Sequence, residues 1–287
     1  INGCLVGSEM CIRDSSNNPA PEINLSVSKT NLLVPGNTTL QWSSNNATSC
    51  SATGDWSGTY GTSGTEAINI STFGTKNFIL TCEGPGGSNN ESISVSLNSD
   101  PLYSYQWHLK NTGQTNFASL SEGTFDLNIE DVISSGITGL GTIIAIVDTG
   151  LEITHEDLSA NVVAGKSYDY SDQDNNPEPI NSLGDHGTSI AGLTSAVGGN
   201  NIGVRGVAPN SKVVGFNVIG GSNNTTSNMI DALGGASGGA ETEEIDIFNM
   251  SFGSNMDRFF PSPLNASFEA AFKNGVDNLR GGKGAIY

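Results

Sequence analysis

The sequence predicts two domains in series, an all-β sandwich followed by an α/β domain built on a doubly wound parallel sheet. Three observations carry that reading. Residues 19–98 consist of short runs of alternating apolar and polar residues, separated by turn chemistry. From Asp100 onward, near-continuous apolar runs alternate with stretches of small, helix-compatible residues. Asn98-Ser99-Asp100-Pro101 marks the change.

In the first domain, residues 23–27, 39–42, 67–70, 77–82 and 92–97 alternate as half-buried strands do. Val34-Pro35-Gly36-Asn37 and Gly84-Pro85-Gly86-Gly87 supply turns between them. Several short strands at this spacing imply a sandwich. Cys50 and Cys82 form an even pair inside this region, which suggests one disulfide and an oxidising compartment. Two buried free thiols are the alternative.

Lys and Arg total 11 against 29 Asp and Glu, a net charge of −18, which disfavours nucleic acid and anionic membranes as partners. So many small polar residues could signal disorder, but 36% hydrophobic content and clear apolar runs argue for folded cores. No apolar run approaches the roughly 18 residues a membrane span needs.

In the second domain, residues 143–147, 213–218 and 245–250 read as buried parallel strands, and 189–196, 226–233 and 267–278 as helices. The first strand ends in Asp148-Thr149-Gly150, and sites in open α/β sheets lie beyond the carboxyl ends of strands. His186 stands 38 residues later in Gly184-Asp185-His186-Gly187-Thr188, a glycine-flanked entry to a helix. An imidazole that takes a proton from a serine needs a carboxylate to fix its tautomer. Alone, either motif is a weak signal, and an acid after a strand is often a helix cap or turn former.

Together, Asp148-Thr149-Gly150 and His186-Gly187-Thr188, in that order, resemble the two leading signatures of the subtilisin superfamily. Asp100-Pro-Leu-Tyr-Ser-Tyr-Gln-Trp-His, Ser167-Tyr-Asp-Tyr and Ile245-Asp-Ile-Phe-Asn-Met-Ser-Phe-Gly253 are similar to the kexin- and furin-like subfamily. The resemblance implies a calcium-dependent serine endopeptidase acting on polypeptides, with Asp148 as orienting acid and His186 as general base. It also implies that the segment at Ser251, Phe252 and Gly253 pairs with an extended substrate. Ser189 follows His186 by three residues on one short element, so neither it nor Ser251 reads as the nucleophile. On this resemblance residues 99–287 form an incomplete subtilisin-like domain, stopping before the oxyanion Asn and the catalytic Ser, and the fragment by itself is inactive. His108 reads as a packing residue, and His155 as a loop histidine.

The loop Gly198-Gly-Asn200-Asn-Ile202-Gly-Val204-Arg-Gly-Val-Ala-Pro209 resembles the superfamily's calcium loop. The resemblance implies ligands from the side chains of Asp100, Asp157 and Asn200 and the carbonyls of Val197, Ile202 and Val204. A glycine-rich turn without metal is the alternative. Kexins carry a second Asp after the catalytic one and an acidic pair after the substrate strand. Here Thr149 and Ser254-Asn255-Met256-Asp257 stand in those places, so strict dibasic cleavage is not expected.

Residues 16–98 resemble the immunoglobulin-like modules of bacterial surface and secreted proteins, through Leu40-Gln-Trp42-Ser, Asn46-Ala-Thr-Ser-Cys50, Trp56-Ser-Gly and Leu80-Thr-Cys82-Glu-Gly-Pro-Gly-Gly. That likeness implies a disulfide from Cys50 to Cys82 across the sandwich, with Trp42 nearby, and a secreted or cell-surface protein. Residues 4–15, CLVGSEMCIRDS, resemble a translated sequencing adapter, so residues 1–15 are set apart and Cys4 and Cys11 are not counted; a short disulfide loop is the alternative. Two further readings stand beside the protease: a catalytically inactive scaffold, and an adhesive protein led by the first domain.

Overall fold

A computed structural model describes residues 18–116, 125–179, 185–222, 225–235, 239–253 and 265–287. Cys4, Cys11, Gly184 and residues 254–257 lie outside the described residues. The described chain forms two compact units. One gathers residues up to 31, 36–71 and 75–96, and the other gathers 32–35, 72–74 and everything from 97 onward.

Apart from Leu32, Gly74 and Leu97, which fall in the other unit, the first unit is built from strands β1 (Glu22–Val27), β2 (Asn31–Leu32), β3 (Gly36–Asn45), β4 (Ser49–Gly54), β5 (Gly58–Tyr60), β6 (Ser63–Ile70), β7 (Gly74–Gly84) and β8 (Gly87–Leu97). They make a three-stranded sheet, β1-β3-β6, and a five-stranded sheet, β2-β8-β7-β4-β5. In β3 the side chains of Thr38, Leu40 and Trp42 are buried while Thr39 and Gln41 are exposed, the two-residue period of a strand with one covered face. Phe78 and Leu80 of β7 are fully buried with Leu40, each contributing about 1.5–3 kcal/mol of transfer free energy. Trp42 of the first sheet meets Trp56 at 5.6 Å and Tyr60 at 5.1 Å between ring centroids, both edge-on. Both buried indoles keep a hydrogen bond, Trp42 Nε1 to the Gly61 carbonyl and Trp56 Nε1 to that of Ile79, each 3.1 Å.

Cys50 and Cys82 are joined by a disulfide, but not in the way the resemblance implies. The two cysteines sit directly opposite one another on neighbouring antiparallel strands, β4 and β7, of one sheet. The bridge therefore staples a strand pair rather than crossing between sheets. Cys50 and Cys82 occupy facing buried positions of the ladder, with Ala52 opposite Leu80, so register alone brings them together.

In the second unit a short 3₁₀ turn (Tyr103–Tyr105) and helix α1 (Glu130–Ser134) precede β9 (Ile143–Asp148), β10 (Tyr168–Asp169), helix α2 (Asp185–Ser195), β11 (Lys212–Asn217), α3 (Thr226–Ala232), β12 (Ile247–Asn249) and α4 (Ala266–Gly282). Helical backbone in α4 stops at Leu279, and Arg280 and Gly281 take left-handed conformations. The sheet order is β10-β11-β9-β12, with all pairs parallel. After β9 the chain adds β10 and β11 on one side and then crosses to β12 on the other. Winding therefore reverses at β9, the place where doubly wound sheets hold their sites. Ile286 bridges Ile247 on β12 in parallel sense.

Alternate residues of β9 serve two cores. Ala145 and Val147 face a cluster with Ala232, Leu233 and Leu279 from the α3 and α4 regions. Ile144 and Ile146 face Leu151, Leu158 and Ala191 of the α2 side. A strand buried on both faces has no polar position until it ends, which is why its first acid, Asp148, falls at the carboxyl edge. Among the described residues no helix is long and apolar enough to cross a membrane.

Candidate active site

Asp148 closes β9 with its side chain sealed from solvent. Its backbone carbonyl accepts hydrogen bonds from Val218 N at 2.9 Å and Ile219 N at 3.3 Å, just past β11. Its Oδ1 accepts the Thr149 N–H at 2.7 Å and lies 2.8 Å from His186 Nδ1. Oδ2 is buried without a hydrogen-bond partner among the described residues. The His186 side chain is 50% exposed against 0% for that of Asp148, so the acid is sealed in while the imidazole reaches solvent.

His186 belongs to the first turn of α2, a helix that starts earlier than the residue pattern suggested. The glycine after it explains how helix and strand come so close. A Cβ on Gly187 would stand 2.1 Å from the Gly150 carbonyl oxygen and 3.2 Å from the Asp148 Cβ. Gly187 N also donates to Thr149 Oγ1 at 3.0 Å, tying the helix start to the residue after the acid. Asp148 Oδ1 faces the Nδ1 edge of the ring, so Nε2 is the ring nitrogen turned away from the acid.

Sequence reasoning missed the support around this pair. Asn217 is the register partner of Asp148 on β11. Its Nδ2 donates to Asp169 Oδ2 at 2.8 Å, and its Oδ1 accepts Gly220 N at 2.9 Å. Asp169 Oδ1 in turn accepts Ser171 N at 2.6 Å. Both residues are buried. Asn217 lies inside the apolar run 213–218 and Asp169 between two tyrosines, so neither ends a run as Asp148 does.

Ser251, Phe252 and Gly253 follow β12 in irregular conformation rather than as a strand, and Ser251 Oγ donates to Asn249 Oδ1 at 2.8 Å. Ser189 is exposed on α2. His155 Nδ1 accepts Asp157 N at 3.1 Å. His108 is partly buried, which lowers its pKa, and its Nε2 has no partner among the described residues. A cavity lined by Ile143, Val163, Val214 and Ile245 lies at the amino end of β9, the opposite end from Asp148.

The glycine-rich loop curls around Asp157. Asp157 Oδ1 accepts Asn200 Nδ2 at 2.7 Å, Oδ2 accepts Val204 N at 2.8 Å, and the Asp157 carbonyl accepts Val197 N at 2.9 Å. Asn200 Oδ1 accepts Ile202 N at 2.8 Å. The carbonyls of Val197, Ile202 and Val204 accept no hydrogen bond among the described residues. Burial raises the Asp157 pKa, and the Asp100 charge adds to the rise against the lowering by Asn200 and Val204. Backbone carbonyls and a buried carboxylate are donors of the kind a hard cation takes. Asp100 is engaged differently. Its Oδ1 accepts Gly199 N at 2.7 Å and Asn200 N at 3.2 Å, and its Oδ2 accepts Arg205 Nε at 2.8 Å. No group of three or more His, Cys, Asp or Glu that could hold a metal occurs among the described residues.

Residues 139–286 match the Subtilase family. The chain is 37% identical over 201 residues to human Neuroendocrine convertase 2, covering 68% of this chain and 30% of that protein. It is 36% identical over 198 residues to the Caenorhabditis elegans protein of the same name, covering 68% and 29%. Among solved structures it resembles the Aeromonas sobria serine protease in complex with the chaperone ORF2, with TM-score 0.56 and 31% identity over 63% of this chain and 30% of that one. The chain thus spans about 30% of the length of the curated relatives it matches.

Proposed function

The chain belongs to the subtilase family, and on that premise we propose that it carries the acid and the base of an Asp-His-Ser triad in a secreted or cell-surface, calcium-dependent serine endopeptidase. The observation that carries this reading is the 2.8 Å contact between His186 Nδ1 and the sealed Asp148 carboxylate. In the proposed reaction His186 Nε2 takes the proton of a serine hydroxyl as its oxygen attacks the scissile carbonyl carbon. The C–N bond then breaks, and His186 returns the proton to the leaving amine. A water, deprotonated by the same nitrogen, then attacks the acyl carbon, the bond from that carbon to the serine oxygen breaks, and His186 returns the proton to the serine. Asp148 stays ionised throughout and stabilises the imidazolium.

The nucleophile in this reading is not a serine the described residues place for the task. Ser189 shares a helix with His186, and Ser251 is bonded to Asn249. The substrate is a polypeptide laid in extended form along Ser251, Phe252 and Gly253, without a strict dibasic preference because Thr149 replaces an acid beside Asp148. Asp157, Asn200 and the carbonyls of Val197, Ile202 and Val204 would hold calcium, which when bound supplies charge neutralisation and a rigid loop after α2. We read residues 16–98 as an immunoglobulin-like module, with the Cys50–Cys82 bridge consistent with an oxidising compartment.

The test is labelling of the longer gene product by a fluorophosphonate, which traps only an activated serine. Labelling that disappears in His186→Ala supports the reading. Unchanged labelling in that variant, or none in the parent protein with calcium present, refutes it.

A further inference from the structure

Arg205 is the largest fully buried side chain of the described protein. Its side chain and that of Asp100 are both 0% exposed, with Nε 2.8 Å from Oδ2. Its guanidinium carbon lies 4.4 Å above the centre of the Tyr103 ring, where a cation is attracted by the ring face. Nη1 and Nη2 are buried without hydrogen-bond partners among the described residues. The backbone of Arg205 is gripped as well: Gln106 Oε1 accepts its N–H at 2.8 Å, and Gln106 Nε2 donates to its carbonyl at 2.9 Å. Asp100, Tyr103 and Gln106 belong to one short segment, so the segment and the loop around residues 197–205 are locked at three points.

A guanidinium is always charged and weakly hydrated, so it suits a buried pair better than any other cationic side chain. Here it stands against the carboxylate that the family resemblance assigns to the metal. Placing a divalent ion on Asp100 would set a second cation beside a buried one with no solvent to screen them. The Asp157 carboxylate is paired with no Lys or Arg among the described residues and accepts Asn200 Nδ2 and Val204 N instead. Asp157 approaches the loop so closely that a Cβ on Gly203 would lie 2.4 Å from its Oδ2.

We propose that the Asp100–Arg205 pair is a built-in clamp that removes Asp100 from the calcium ligands and holds the 197–205 loop closed without metal. The cation that Asp100 needs is supplied by the chain itself. The metal set is then reduced to the Asp157 side of the loop. This inference concerns the loop alone and stands or falls independently of the triad.

The test uses the 287-residue chain. In the first arm, cleavage within the loop by a nonspecific protease is timed in EGTA. The parent and Arg205→Lys stay protected, and Arg205→Met is cut at least about tenfold faster, because removing one partner strands a buried charge and opens the loop. Equal cleavage of parent and Arg205→Met in EGTA overturns the proposal. In the second arm, calcium binding is measured by equilibrium dialysis on Asp100→Leu/Arg205→Met, which leaves no buried charge stranded. A dissociation constant within about threefold of the parent supports the proposal, and one more than about tenfold weaker identifies Asp100 as a ligand and overturns it.

Discussion

Replacing Cys50 and Cys82 together by Ala removes the staple between β4 and β7. The closed loop spans a sequence separation of 32 residues and contains β5 and β6. Chain-entropy arguments put the stabilisation from restricting an unfolded loop of that length at about 3.7 kcal/mol at 25 °C. The folded state needs little rearrangement, because the register from Ser49–Glu83 to Gly54–Phe78 is held by the strand pairing itself. The whole cost should therefore appear as easier unfolding, with the native sheet retained. For a unit of this size that corresponds to a drop in Tm of about 15–30 °C. Trp42 and Trp56 report on this unit, so urea unfolding followed by tryptophan fluorescence in a Trp107→Phe background isolates it. A loss below about 1 kcal/mol would refute the reasoning. It would show that the unfolded chain is already restricted between those positions, or that the strand pair is not formed as described.

Other outcomes follow from single contacts. Gly187→Ala forces a methyl against the Gly150 carbonyl, which should cost about 1–3 kcal/mol in thermal unfolding of the chain and about 100-fold in kcat/KM of the longer gene product through misplacement of His186; wild-type values for both would remove the close approach from the account. Tyr60 is held protonated by its 2.6 Å hydrogen bond to Glu66, with its pKa pushed up to about 12. A raised folded pKa means its contribution is fully present below the ordinary tyrosine value of 10.0 and is lost as pH rises toward about 12. Tyr60→Phe should flatten stability across that interval, and an unchanged alkaline decline would count against the contact.

How far the sequence reached depended on what each residue had to signal. β9 was legible because a strand buried on both faces must be apolar throughout, and Asp148 was legible because it interrupts that run. β4 and β5 escaped notice because Ser49–Gly54 and Gly58–Tyr60 are made of small and polar residues whose strand character comes from pairing, β4 with β7 and β5 with β4, rather than from their own pattern. The cysteines announced a bridge, but its place within one sheet depended on the register of β4 against β7, which composition does not encode. Asp148 and His186 could be paired from their glycine-flanked contexts, whereas Asn217 and Asp169 are brought to the site by parallel register and carry no local mark. Arg205 was the least legible. A charged residue in a glycine-rich loop reads as exposed, and only the fold shows a carboxylate, an aromatic face and an amide closing around it.

The central claim is that Asp148 fixes the tautomer of a catalytic His186. Its most direct test is kcat/KM of the longer gene product on fluorogenic peptides, measured for the parent and for Asp148→Asn, which keeps the shape but replaces the acceptor-only carboxylate by a neutral amide that can also donate. The account predicts peptide cleavage by the parent and a fall of about 10⁴-fold in the variant. A fall smaller than about tenfold, or a parent protein that cleaves no peptide while calcium is present, would contradict it.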